Sequence, residues 1–268
     1  GAAYFEAPSM RKINGRYYLV YSARNTGLYY FISDRPDKDF RFGGRIHSTS
    51  DVGMNGYSEE EPCYPMGNTH GGLVELNGRY YIFDHRHTNN SSFCRQGVAE
   101  QINIDAQGLI AQVESTSCGL NNGWLIGEGT YPAYIACVLY YEKTVPINDR
   151  TACITQDGED RESLPGQYIQ GISDGCIVGY RYFEGKELSN IRLTVRGRMK
   201  GTLYVTCHEE GGRMQDPEKI AAGSCICDIA AGDWETITIP VQVRAGVYPL
   251  YFRFRGEGSL DLAEFTLE

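Results

Sequence analysis

Apolar and polar residues alternate at a period of two in short runs along most of the chain, and turn residues interrupt these runs before a helical stripe can develop. The clearest run is duplicated: Asn14-Gly15-Arg16-Tyr17-Tyr18-Leu19 recurs as Asn77-Gly78-Arg79-Tyr80-Tyr81-Ile82. Each copy predicts an alternating strand (9–13 and 73–76), a hairpin turn at Asn-Gly and an aromatic strand (16–22 and 79–85). Asn-Gly is a strong turn signal because both residues tolerate positive φ. Two further strands are expected in each copy, at 28–33 and 40–46 in the first and at 94–104 and 109–113 in the second. Four antiparallel strands per repeat is the plan of a propeller blade.

From about residue 134 the repeat stops and a new rhythm begins, with strands expected at 191–196, 201–207, 225–229, 234–241, 247–255 and 260–267. Ile237-Thr238-Ile239 and Leu250-Tyr251-Phe252-Arg253-Phe254-Arg255 alternate as half-buried sandwich strands do. The fold class is therefore all-β: a partial β-propeller of about two blades or slightly more in residues 1–125, then a jelly-roll β-sandwich in residues 126–268. Propellers close with at least about four blades, so other strands are expected to cover the open edges and apolar face that two blades leave.

Composition fits this picture. At 268 residues and 41% hydrophobic content the chain can fill two cores, and 20 Tyr and 32 Gly against five Met favour strands and turns over long helices. A net charge of −9 argues against binding a phosphate backbone, so no nucleic-acid partner is expected. No apolar run approaches the roughly 20 residues of a membrane-spanning helix, and no membrane partner is expected. Residues Gly1 to Glu6 lack the charged start and apolar stretch of a secretory signal, which leaves localisation open. The nine cysteines include no CxxC pair, which argues against a zinc-thiolate cluster, while Cys225 and Cys227 fall on one face of an expected strand.

In each repeat one ionisable residue stands ahead of the innermost strand: Glu6 before Asn14, and His70 before Asn77. Inner strands of a propeller begin at the central channel, so both side chains are expected to face its axis. Arg95, in Phe93-Cys94-Arg95-Gln96, is placed to reach the same axis, where a guanidinium fork can hydrogen-bond a sugar or hold a carboxylate. His85 and His87 share a strand face opposite Arg86 and read as packing residues.

Four stretches resemble glycoside hydrolase family 43 over roughly residues 4–120: Phe5-Glu6-Ala7-Pro8-Ser9-Met10-Arg11-Lys12-Ile13-Asn14-Gly15, Asn68-Thr69-His70-Gly71-Gly72-Leu73-Val74-Glu75, Phe83-Asp84-His85-Arg86-His87-Thr88, and Gln112-Val113-Glu114-Ser115-Thr116-Ser117-Cys118-Gly119. The resemblance implies the C-terminal part of a five-bladed propeller. It further implies an inverting glycosidase of the β-xylosidase or α-L-arabinofuranosidase type, acting on xylose- and arabinose-containing plant glycans. Glu6 matches the general acid. His70 matches an axial histidine beside a central hydrated ion, commonly calcium; no organic cofactor is implied. The family's general-base aspartate, and a second aspartate that tunes the acid, have no counterpart among the five residues before Glu6. The chain by itself is therefore expected to be an incomplete enzyme whose partner is an N-terminal propeller part, on the same polypeptide or a separate chain. The other reading is a non-catalytic carbohydrate-binding protein, a truncated propeller retained with its sandwich.

Residues 137–268 resemble family 6 carbohydrate-binding modules through Ile154-Thr155-Gln156-Asp157-Gly158-Glu159-Asp160-Arg161, Gly179-Tyr180, Asp233-Trp234 and Leu250-Tyr251-Phe252-Arg253-Phe254-Arg255-Gly256. The likeness implies a plant cell-wall glycan as partner, gripped by an aromatic pair at Tyr180 and Trp234, whose ring faces suit sugar C–H groups. Ser259 stands where such modules carry an asparagine. The likeness also implies a structural calcium, with Asp157 and Asp261 as candidate ligands.

Overall fold

A computed structural model describes residues 3–24, 26–142, 152–158, 166–207 and 216–268. The chain forms two units, Gly1–His87 with Ser91–Leu120 and Thr88–Asn90 with Asn121–Glu268.

The first unit holds two antiparallel sheets. Strands β1 (Tyr4–Ile13), β2 (Arg16–Ala23), β3 (Gly27–Ser33) and β4 (Arg41–His47) pair in sequence order, as do β5 (Gly72–Leu76), β6 (Arg79–His87) and β7 (Arg95–Ile102). Both Asn-Gly turns form: Asn14, Gly15, Asn77 and Gly78 all have positive φ, and Ile13 pairs with Arg16 as Leu76 pairs with Arg79. These two-residue loops have the twist that antiparallel strands require. Alternation then sends Tyr18, Val20, Leu28, Tyr30, Ile32 and Ile46 of the first sheet into one core with Leu73, Ile82 and Ile102 of the second. These are packed blades of a partial β-propeller.

The second blade departs from expectation in having three strands. Residues 109–113 make only isolated bridges, Ile110 to Ile104 and Val113 to His47. The cause lies in the first sheet. The Ile110 amide donates to the Tyr30 hydroxyl at 2.8 Å and the Val113 amide to the Ile46 carbonyl at 2.9 Å. The segment is drawn along β4 instead of extending the β7 edge.

The second unit contains β8 (Leu125–Ile126), β9 (Gly129–Pro132), a 3-10 turn (Ala133–Ile135), β10 (Val138–Tyr141), β11 (Cys153–Asp157), β12 (Gly166–Ser173), β13 (Cys176–Gly185), β14 (Leu188–Thr206), the short α1 (Pro217–Ile220), β15 (Ala221–Val243) and β16 (Gly246–Leu267). The six strands expected from the sequence are the halves of β14, β15 and β16. Each of these long strands serves both layers. The first half of β16 lies between β13 and the second half of β14; its second half lies between β12 and the first half of β14. The result is a β-sandwich. Glycines sit at the bends: Gly197 in β14 and Gly256 and Gly258 in β16 all have positive φ. A Cβ on Gly223 would stand 2.1 Å from the Pro240 carbonyl oxygen, so the two ends of β15 meet where only glycine fits. The core is built on Tyr180, Phe183, Leu250, Phe252 and Phe265, all buried.

Candidate catalytic and sugar-binding sites

Glu6 sits on β1 opposite Ser22, with a register shift on each side and Ala7 at φ 61°. Such a bulge re-aims side chains at a strand's end, and the Glu6 side chain is half-buried there. Ser22 in turn shares a 3.2 Å hydrogen bond with Thr69, the residue before His70. One short chain of contacts thus fixes the histidine loop against the strand that pairs with Glu6. Gly71 completes the fit, since a Cβ there would lie 1.7 Å from the Phe83 carbonyl oxygen.

His70 is exposed, and its ring stands 6.4 Å edge-on from that of His85 on β6. The His85 amide donates to Asp84 Oδ1 at 2.7 Å, while its ring Nδ1 is buried with no hydrogen-bond partner among the described residues. Burial lowers the pKa of His85; Arg95 and His70 lower it further, and Asp84 and Glu6 oppose them. Glu6, His70 and Arg95 therefore each lie within electrostatic reach of His85. Arg95 donates to Asn68 Oδ1 at 2.9 Å, and the same oxygen is bonded to His87 Nε2. Burial, then Arg95 and His85, keep the His87 pKa below its usual value. The structure thus brings together Glu6, His70 and Arg95 and adds two residues. His85 joins the site although its strand position had suggested packing, and Asn68, which carried no signal beyond its place beside Thr69-His70, anchors Arg95.

Behind this group lies a buried polar network. His47 Nδ1 donates to Asp84 Oδ2 at 2.9 Å, and His47 Nε2 lies 3.1 Å from Ser115 Oγ. The Ser115 amide donates to Asp51 at 2.7 Å, and its hydroxyl donates to the Ser48 carbonyl at 3.0 Å. Thr116 gives Glu100 an amide bond at 2.5 Å and a hydroxyl bond at 2.7 Å. Burial alone would lower the His47 pKa, but the hydrogen bond and charge of Asp84, with Glu100 and Asp51, raise it. Burial pushes the Glu100 carboxyl up to about 7 against the pull of His47 and Thr116. Asp84 links the two layers of the site, holding His47 with one oxygen and the His85 backbone with the other.

In the sandwich, Trp234 is 36% exposed and forms a cluster with Tyr168, whose ring meets it edge-on at 5.5 Å. The Arg196 guanidinium lies 4.3 Å from the Trp234 ring and 4.6 Å from the Tyr168 ring. Tyr180 lies elsewhere. It is fully buried, its ring 4.4 Å from Phe265 and its hydroxyl donating to the Ala133 carbonyl at 3.1 Å. A ring closed off from solvent has no face to offer a sugar, so the expected pairing of Tyr180 with Trp234 is corrected: the aromatic neighbour of Trp234 is Tyr168.

The expected calcium pair is corrected likewise. Asp261 spends Oδ2 on Arg196 at 3.0 Å and Oδ1 on the Gly171 amide at 2.9 Å, and Asp157 lies 3.5 Å from the same guanidinium. A cation seated between two carboxylates opposes a second cation, and calcium needs six to eight oxygen ligands. These residues do not fit the ion. No group of three or more His, Cys, Asp or Glu residues placed to hold a metal occurs among the described residues. Residues 159–161 of the sandwich motif lie outside the described residues. Among the described residues, no helix is long and apolar enough to cross a membrane.

The chain thus joins partial propeller blades, which carry a carboxylate, imidazoles and a guanidinium, to a β-sandwich. No protein-family model matches the sequence. It is 39% identical over its whole length to a xylosidase/arabinosidase of Thermoclostridium stercorarium, of which it covers 56%. A glycoside hydrolase family 43 arabinoxylan arabinofuranohydrolase from Bacillus subtilis, solved with cellotetraose, superposes on 98% of the chain and 54% of its own length, at 16% identity and a TM-score of 0.51. A β-1,3-glucan-binding family 6 module from Bacillus halodurans aligns with 55% of this chain and 99% of its own, at 22% identity and a TM-score of 0.38. The chain is thus related in sequence to that xylosidase/arabinosidase, and its fold is similar to that of the family 43 enzyme. It spans just over half the length of the curated relative that it matches end to end.

Proposed function

We propose that the chain forms the acid-bearing part of an inverting glycoside hydrolase that removes xylose or arabinose units from plant glycans. The observation that carries this reading is the convergence of Glu6, His70, His85 and Arg95 from separate strands and loops of the blades. Glu6 protonates the leaving glycosidic oxygen while Arg95 and the imidazoles hydrogen-bond the sugar. Inversion requires a second carboxyl about 6.5–9.5 Å away with water between. That base, an aspartate, comes from propeller strands outside this chain.

The first sheet supports such a completion. Its face away from the core carries Tyr4, Tyr21, Tyr29, Phe31 and Phe42 in ring contact, with Tyr4 62% and Phe42 46% exposed. Tyr21 and Tyr29 are already buried in this cluster, and Tyr4 and Phe42 are the rings left for a preceding blade to cover. His70, exposed and on the rim of the group, fits as a direct or water-mediated neighbour of an axial calcium whose oxygen ligands come largely from other residues. The ion would supply charge beneath the sugar.

The test is to combine the chain with the N-terminal propeller part of its own locus and assay aryl xylosides and arabinofuranosides. Release of the phenol by the combination supports the reading. Inactivity of a folded combination would leave the non-catalytic, glycan-holding alternative. For the sandwich, we propose that Trp234, the exposed ring of this cluster, holds glycan with the buried Tyr168 backing it. Affinity electrophoresis in arabinoxylan should show the chain retarded and Trp234→Ala running at the rate seen without polysaccharide. Unretarded parent protein would make the sandwich a brace.

A further inference from the structure

We propose that Cys225 and Cys227 form a two-thiol site for a borderline-to-soft divalent cation of the zinc class. Both lie on one face of β15, their sulfurs 3.3 Å apart and unbonded, with Ile226 between them pointing the other way and 89% exposed. Cys227 is buried and Cys225 half-buried, so the pair has one sulfur in apolar surroundings and one toward solvent. Among the described strands β15 pairs only with β14, and the half-buried Cys225 gives the pair its opening to solvent.

The Cys225 thiol donates to the Cys227 sulfur and holds the Cys227 pKa below its usual value. The proton shared by two sulfurs occupies the place a cation would take. The two sulfurs bind M²⁺ as thiolates, giving a neutral dithiolate chelate and releasing the protons that they carried. Zinc–sulfur bonds are about 2.3 Å, so sulfurs at this spacing subtend roughly 90° at the metal and reach a tetrahedral angle by parting about 0.5 Å. Side-chain rotation supplies that. A disulfide instead needs the sulfurs at about 2.05 Å, on Cα atoms whose spacing along a strand, roughly 6.6 Å, is near the upper limit for such a bond. The geometry favours chelation over oxidation, and soft thiolates select zinc-class ions over calcium or magnesium. Water or an added ligand completes the coordination. The site is independent of the glycosidase reading.

The full chain, reduced and freed of reductant, is titrated with Cd²⁺ alone, following thiolate-to-cadmium absorption in the ultraviolet and counting thiols that resist alkylation. One Cd²⁺ per chain and two protected thiols are expected near neutral pH, with protons released on binding. Cys225→Ser and Cys227→Ser should each weaken binding more than about 100-fold, since losing a ligand exceeds the 10–100-fold cost of losing an outer-shell partner. Cys94→Ser and Cys118→Ser, at half-buried single thiols, should leave it unchanged. Cys225→Ala, at the less buried position, serves if Cys227→Ser does not fold. No cadmium-dependent absorption, or binding that survives substitution of Cys225, overturns the proposal.

Discussion

In the completed enzyme, Glu6→Gln is expected to lower turnover about 10²–10⁴-fold on oligosaccharides, whose leaving alcohol is a poor one, and far less on aryl glycosides whose leaving phenol is acidic. Proton donation matters in proportion to the basicity of the departing oxygen. A nitrophenolate leaves without help; a sugar alkoxide does not. Gln has the size of Glu and keeps the amide on the bulge opposite Ser22, so the β1 register and the site's shape should persist. Comparing kcat on xylo-oligosaccharide and nitrophenyl substrates separates the roles. A large loss confined to the first supports the acid. An equal loss on both would make Glu6 a sugar-positioning group, and no loss on either would remove it from the reaction.

The parts of this fold that were legible in the sequence are those decided by neighbours along the chain. The two hairpins follow from Asn14-Gly15 and Asn77-Gly78, because a two-residue turn with positive φ at both positions dictates its own register. The sandwich strands were placed well but split in two. The gaps expected at 197–200 and 256–259 contain Gly197, Gly256 and Gly258, which bend the ladder from one layer to the other and leave it continuous. Partners far along the chain were not legible. Residues 109–113 follow β4 because Tyr30, eighty positions earlier, bonds both backbone groups of Ile110. The inward aim of Tyr180 depends on its pairing with Leu250, and a shift of one residue in that register would have turned the ring outward. Asp157 and Asp261 both face Arg196, a neighbour that their places in the sequence do not reveal.

The acid-site residues show the same division. Glu6 and His70 stood out by their place ahead of duplicated hairpins and by the motifs around them. Asp84, His47 and Glu100 did not, because their roles exist only where three strands and the 113–116 segment meet. Their trace in the sequence is a polar residue at a core-facing position of an alternating strand. Such positions are costly to fill with charge, so a network there has to be complete, and each member here has a partner within hydrogen-bonding distance.

That network makes the first unit's stability depend on pH. The unit is expected to be most stable in mild acid, to lose on the order of 3 kcal/mol as pH rises from about 4.5 through about 7, and to recover most of that loss in Glu100→Gln. The folded pKa of Glu100 is raised above its unfolded value of 4.5, so between 4.5 and about 7 the folded state keeps a proton that the unfolded chain has released. Below that window the contribution is fully present; above it both states are ionised and the fold bears a buried carboxylate. His47 adds the same sign, since its folded pKa also lies above the ordinary 6.5, and its contribution fades as pH rises through the folded value. Gln reproduces the protonated acid: its carbonyl can accept the Thr116 amide and its NH₂ can donate to the Thr116 hydroxyl. Both tryptophans lie in the second unit, so indole fluorescence follows the sandwich and is silent on the blades. Hydrogen exchange at the Ser115 and Thr116 amides, which donate to Asp51 and Glu100, reports on the network directly. Their protection should fall between pH 5 and 8 beyond the intrinsic pH dependence of exchange, and Glu100→Gln should flatten that excess. An unchanged profile in the variant would mean that Glu100 is ionised throughout, held by His47 instead of by a proton.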